Sequence, residues 1–506
     1  MKKLLFILSF FCWLTAGAQQ FNNEWIDYSK TYYKFKIGAT GLYRIPQSVL
    51  AAANLANTDV SQFQLWKNGQ EVPVYISNQA GVLAAGGYIE FWGEANDGKP
   101  DQDLYRNAND HINNSKSLFT DTATYFLAVN PAGNNKRLIP TTNNIPTGVG
   151  AEPYFMYTAR TYFNETIHLG PFSGGVSDAT YSASFEGGEG WTSNEISENQ
   201  TKNFTYTNLF PYTAGGAPSM QVKMNVVGNS SNSRAVQMQL NNTQVFNSNL
   251  AGFAYSRLSA AVPVSALTGT TENLSVKNIT SVANNRIKIA SVEITYPRTF
   301  NFGGSGNFRF ELSAGTGKYL EIAGFNYSGV PVLYDLANGR RYEANVSAPS
   351  LVKLYVQPGA AAPDLVLVNT AASNIKTIGS LETRHFTNYL AAENQGNYLI
   401  VTHKAILSGA NGAQPVEEYR AYRSSAAGGG YNAKVFLIDE LTDQFAYGVK
   451  NSPLAVRNLI RFARNKFSTP PKSVFIAGKG VKYTSARYNE SSPVTEKLNL
   501  VPTFGE

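Results

Sequence analysis

The chain has 506 residues, 43% hydrophobic, 12% aromatic and 15% charged, with 43 glycines. That is too long for a single core and too apolar for disorder, and its wealth of Tyr, Asn, Thr, Ser and Gly argues against long helices. Three or four domains built mainly from strands are expected. The formal charge of +7 is scattered rather than massed in one block, so no nucleic acid partner is expected.

Residues 1–18 read as a signal peptide. Lys2 and Lys3 precede the apolar run "LLFILSFFCWLTAGA", and Ala16-Gly17-Ala18 is a small-x-small cleavage pattern that leaves Gln19 first. Loss of Lys2 and Lys3 takes the charge from +7 to +5. The run is short for a membrane span, and no later run approaches the ~18 apolar residues that a span needs. The only cysteine, Cys12, lies inside this segment. Its flanks lack the small residues expected before a lipid-modified cysteine. The mature chain is therefore expected to be exported, with no disulfide, no thiolate metal site and no cysteine nucleophile of its own.

Residues 19–149 read as a small β-rich domain. "YYKFKI" alternates Tyr33, Phe35 and Ile37 on one face, and "GLYRI" and "YIEFWG" add strands. In "QFQLWKNGQEVPVYIS" the Asn68-Gly69 pair predicts a type I′ hairpin turn.

Residues 150–395 read as an antiparallel β-sandwich or jelly-roll-like region. "MQVKMNV" puts Met220, Val222, Met224 and Val226 on one face, and "AVQMQL" does the same with Val236, Met238 and Leu240. "RIKIASVEITY", "NFRFEL", "KYLEIAG", "LVKLYV" and "DLVLV" continue the pattern, with turns between them and no helices.

From residue 396 the pattern becomes βαβαβ. "NYLIV", "KVFLID" and "KSVFIAG" are continuous apolar strands, as in a parallel sheet covered on both faces. "PVEEYRAYRSSAAGGG" is a helix closed by glycines. "NSPLAVRNLIRFARNKF" is an amphipathic helix with Ser452 as cap, Pro453 in the first turn, and Val456, Leu459, Ile460, Ala463 and Phe467 inward.

Sites in open parallel sheets form at the carboxyl ends of the strands. Those ends carry His403, Asp439-Glu440 and Gly478-Lys479-Gly480. "AGKGVKY" lacks the glycines of a dinucleotide loop, and "SAGTGKY" has Leu312 and Tyr319 where a phosphate loop needs Gly and Ser/Thr. His111, His168, His385 and His403 show no metal-ligand spacing, and no cofactor or metal is expected. The turn carrying Glu94, Asp97, Asp101 and Asp103 offers carboxylates of the kind calcium takes, but it departs from the twelve-residue calcium loop and reads as a solvated turn. Arg457, Arg461 and Arg464 read as the wet side of their helix. No G-x-S-x-G elbow nominates a serine nucleophile.

The ordered set "NYLIVTH", "VEEYRAYRSSAAGGGYNAKVFLIDEL", "DQFAYGVKNSPLAVRNLIRFARNKF", "PKSVFIAGKG" and "NLVPTF" resembles the gingipain-type cysteine peptidase family. "YYKFKIGATGLYRI", "LWKNGQEVPVYI" and "YIEFWGEANDGKPDQDLY" resemble the leading β domains of its type IX secretion sortase-like branch. The resemblance implies a caspase-like α/β peptidase domain over 396–506, in which a cysteine thiolate activated by a histidine attacks a scissile carbonyl and backbone N–H groups hold the oxyanion. In the family both residues come from later strands. No catalytic residue is therefore assigned within this chain, and His403 reads as a strand-end histidine. Gly478-Lys479 departs from the acidic residue that members often carry after this glycine.

The expectation is an N-terminal portion of an exported gingipain-like cysteine endopeptidase, acting on protein or peptide substrates at the cell surface with type IX secretion components as partners. It would be inactive alone, and Glu506 reads as an artificial end because a three-stranded sheet leaves an edge open. The alternative is a non-catalytic surface adhesin or glycan-binding β-sandwich, to which the tyrosine- and asparagine-rich β region lends itself.

Overall fold

A computed structural model of the chain describes residues 20–170, 185–348 and 351–504, with side chains over 20–170, 185–346 and 351–504. The signal segment with Cys12, and Glu506, lie outside the described residues. The architecture is mainly β, followed by a caspase-like α/β domain.

The first β unit packs two sheets against each other. Strand Tyr32–Ile37 pairs with Ala123–Val129 in one, and Gly41–Pro46 pairs with Tyr88–Gly93 in the other. Phe35, Ile37, Ile45, Phe63, Leu65, Phe91 and Leu127 fill the space between them. The predicted hairpin is present: Lys67 pairs with Gln70, and Asn68 and Gly69 take φ of 48° and 70°, the left-handed values a type I′ turn requires. Two short strands from far along the chain complete this unit. Ile375–Thr377 pairs parallel with Gly41–Pro46, and Glu382–Arg384 pairs antiparallel with Tyr32–Ile37. Strand pairing therefore crosses the division expected near residue 150.

The stretch 150–395 holds two separate cores rather than one. In the first sandwich, one sheet contains β1 (Phe155–Tyr162), β2 (Met220–Gly228), β3 (Tyr255–Val262) and β4 (Ile287–Arg298), in the order β3-β2-β4-β1. The facing sheet is built from 201–206, 272–279, 234–240 and 243–250. Met220, Val222, Met224 and Val226 meet Val236, Met238 and Leu240 across the core, all but fully buried, as the alternation predicts. The second sandwich, with strands over 307–368, has a core of Phe302, Phe310, Leu320, Ile322, Leu354 and Leu365, and borrows strand Ile139–Thr141 from the stretch assigned to the first domain.

The C-terminal domain contains β5 (Tyr398–Thr402), β6 (Ala433–Leu437) and β7 (Ser473–Ala477), paired in parallel in the order β6-β5-β7. Helix α1 (Pro415–Ser424) covers one face through Val416 and Tyr419. Helices α2 (Ile438–Phe445) and α3 (Leu454–Lys466) cover the other. α3 starts one residue later than expected: Pro453 is its N-cap, and Ser452 Oγ accepts from the Leu454 N–H at 3.4 Å. Short helices α4 (Tyr483–Tyr488) and α5 (Pro493–Leu498) follow β7.

This domain is not a free-standing lobe. Leu399, Val401, Phe436, Leu459 and Phe462 share one continuous apolar cluster with Phe21, Leu104, Leu118, Phe119 and Trp191 of the β units. Phe21 meets Phe462 edge to face at 5.5 Å. Burial of several aromatic rings, each removing roughly 150–250 Å² from water, ties the α/β domain to the β scaffold.

Candidate functional site

A cleft of about 570 Å³ opens at the carboxyl ends of β5 and β6. His403 and Lys404 enter it from the end of β5, and Asp439, Thr442 and Asp443 from α2. Lys34 and Lys36 come from the first β unit, and Lys450, Glu490, Glu496 and Lys497 close the rim. Two of the three strand ends singled out by the sequence are thus brought together. The third does not line the cleft: the Leu500 and Val501 N–H groups donate to the Lys479 carbonyl at 2.9 and 3.0 Å, and it is Asn499, Leu500 and Pro502 that reach the cleft, while Lys479 and Gly480 stay exposed outside it.

His403 is the N-cap of the turn Lys404–Ile406, its Nδ1 accepting from the Ala405 N–H at 3.0 Å. That bond ties one ring nitrogen to the backbone. Asp443, missed in the sequence reading, is the best-anchored charge at the cleft. It is 1% exposed, and Lys34 Nζ lies 2.8 Å from Oδ1 and 2.9 Å from Oδ2, while the Arg384 guanidinium bonds its Oδ2. Both cations come from the two neighbouring strands 32–37 and 382–384, which is why spacing along the chain gave no signal. Glu440 has its pKa raised by burial and by the negative charge of Asp439. Lys36 has its pKa lowered by the surrounding protein and by the positive charges of Lys34 and Lys450.

The other sequence candidates are dispersed. His111 stacks on Tyr105 at 4.9 Å, and His168 lies in strand Thr166–His168. Burial pushes both imidazoles down to about 4. His385 Nδ1 sits 3.4 Å from Thr31 Oγ1. Among the described residues, no group of three or more His, Cys, Asp or Glu is placed to hold a metal ion.

The 94–103 turn is not the solvated turn expected of it. Asp101 is fully buried, Oδ2 accepting from the Leu118 N–H at 2.7 Å, and burial raises its pKa to about 7. Asp97 instead pairs with Lys99 at 2.8 Å, and Glu94 with Arg309. The arginine stripe also needs correction. Arg464 is exposed, but Arg457 is half-buried, donates to the Asp103 carbonyl, and has its pKa lowered to about 10 by burial, because the first β unit packs on that side of α3.

The cleft holds carboxylates, amines, an imidazole and hydroxyls, but no thiol; the chain's single cysteine is Cys12. What the fold defines is a mainly β scaffold bearing an α/β domain of gingipain type. Residues 391–506 match the family model for peptidase family C25, which shows the resemblance read from the sequence. No curated protein matches the chain. Among solved structures, dimeric latent PorU from Porphyromonas gingivalis is similar over 90% of this chain and 42% of that one, with 13% identity and a TM-score of 0.56. That likeness is one of fold, and this chain spans less than half the length of that protein. The C-terminal CBM6 of LamC from Zobellia galactanivorans is matched by 28% of this chain over 99% of its own length, at 14% identity and a TM-score of 0.17.

Proposed function

We propose that this chain is the N-terminal portion of an exported gingipain-like cysteine endopeptidase that processes proteins at the cell surface. The observation that carries this reading is the family match over 391–506, which coincides with the parallel β6-β5-β7 sheet and its covering helices. In this reading the histidine and cysteine of the catalytic pair are supplied by sequence beyond Glu506, and residues 19–506 alone do not cleave peptide bonds. The cleft at the ends of β5 and β6 then forms one wall of the substrate site. The β units hold that wall in place through Asp443 and the shared core, and type IX secretion components are the partners that export calls for.

The test has two arms. The reading frame is sequenced past the Glu506 codon, where strands bearing a histidine and then a cysteine are expected. Recombinant 19–506 is also incubated with fluorescein-labelled casein, with and without iodoacetamide. Casein cleavage that ignores the alkylator overturns the assignment, since the only protein thiol that could be involved is absent from 19–506.

A further inference from the structure

The alternation that buries Met220, Val222 and Met224 turns Gln221, Lys223 and Asn225 to the opposite face of the first sandwich. That face is the floor of a groove. Cross-strand register sets Arg160, Glu293, Lys223 and Ser259 in one row, and Tyr162, Ser291, Asn225 and Arg257 in the next. Loop residues 97–115 form one wall, and 309–311, at the start of the second sandwich, form the other. Two hollows of about 510 and 330 Å³ share Asn114, Tyr162 and Glu293, so they form one continuous trough.

The floor is braced before any ligand arrives. Tyr162 donates to Glu293 at 2.8 Å, Asn225 donates to Ser291 Oγ at 3.0 Å and to the Ile112 carbonyl at 2.9 Å, and Arg257 donates to the carbonyls of Asn109 and His111 at 2.8 and 3.0 Å. Side chains held by their neighbours lose little freedom on binding.

The chemistry of the lining selects the occupant. An extended peptide pairs with the backbone of a sheet edge, whereas this trough offers the side chains of a sheet face. A lipid needs an apolar lining, and this one is predominantly polar. A polyanion meets Glu293 and Asp97 beside the cations. Hydroxyls, amides and paired charges, with the half-buried Tyr162 ring among them, match a ligand whose groups both donate and accept along its length. We infer that this trough binds a linear oligosaccharide, neutral or weakly charged, at a site separate from the cleft of the α/β domain.

The test uses fluorescently labelled 19–506 on a printed array of neutral and acidic oligosaccharides, followed by titration with the strongest hit. Glu293→Gln and Lys223→Ala are each expected to weaken binding about tenfold or more, while Lys404→Ala at the distant cleft leaves it unchanged. Thermal unfolding of each variant separates lost binding from lost folding. Absence of binding across the array overturns the inference. So does binding that the two groove variants leave intact, or displacement of the bound sugar by an unrelated extended peptide.

Discussion

Lys34 and Asp443 are 409 positions apart in the chain, yet the Lys34 ammonium bridges both oxygens of the Asp443 carboxylate at 2.8 and 2.9 Å. The pair joins the first strand of the β scaffold to the helix at the end of β6, with Arg384 as the second cation.

Removing one partner leaves a buried charge uncompensated, which costs far more than exchanging the whole network for apolar groups. Asp443→Ala should therefore lower stability by about 3–5 kcal/mol in chemical denaturation. Lys34→Met in that background should cost little more. Additive losses would mean that the two residues do not act as a unit.

Gly448 takes φ of 74°, and a β-carbon there would lie 2.6 Å from Thr124 Cβ. Thr124 also donates from Oγ1 to the Gly448 carbonyl at 2.8 Å, so the Thr124 side chain lies directly against the Gly448 backbone between domains. Gly448→Ala should destabilise by at least about 1–3 kcal/mol through left-handed strain and the steric clash. A melting temperature equal to that of the parent would contradict this packing.

Stability should peak near neutral pH and fall on both sides. His111 and His168 have pKa values lowered from 6.5 to about 4, so their stabilisation is complete above 6.5 and is lost as pH falls through 4. Asp101 runs the other way. Its pKa is raised from 3.8 to about 7, so its stabilisation is complete below 3.8 and is lost as pH rises through 7. Asp101→Asn keeps an acceptor for the Leu118 N–H and removes the alkaline loss. It should raise the melting temperature more at pH 8 than at pH 5, and an equal shift at both would show that Asp101 is not held protonated.

Strand β7 pairs only with β5 among the described residues, and its Val474, Phe475 and Ile476 are 37%, 40% and 49% exposed. An apolar edge of this kind invites strand-to-strand association. Ile476→Lys should shift recombinant 19–506 toward the monomer in light scattering at micromolar concentration. An unchanged distribution would show that this edge does not drive association.

Much of the scaffold was legible because its signals are local. The period-two runs at 220–226 and 236–240 name the buried face directly, and the apolar runs at 398–402 and 433–437 announce a parallel sheet. What stayed hidden is the partner of each strand. Alternation reports a face and is silent about neighbours, so the split of 150–395 into two cores and the return of 375–384 to the first unit could not be read. The candidate cleft was half legible. His403 and Asp439 follow from the rule about strand ends, whereas Lys34 and Asp443 meet only through tertiary pairing. Asp101 failed for a related reason, since a carboxylate in a polar turn gives no sign that residues 117–118 will fold over it.

The strands 375–377 and 382–384 close sheets whose other members lie before residue 130. At ~5–20 residues per second, strand 32–37 is made roughly 20–70 s before its second neighbour. Through that interval one flank of the first unit has no native partner, while both sandwiches, encoded between the two halves, have time to form. The N-terminal unit is thus the first begun and among the last completed. Its last strands are made after those of both sandwiches and just before the α/β domain.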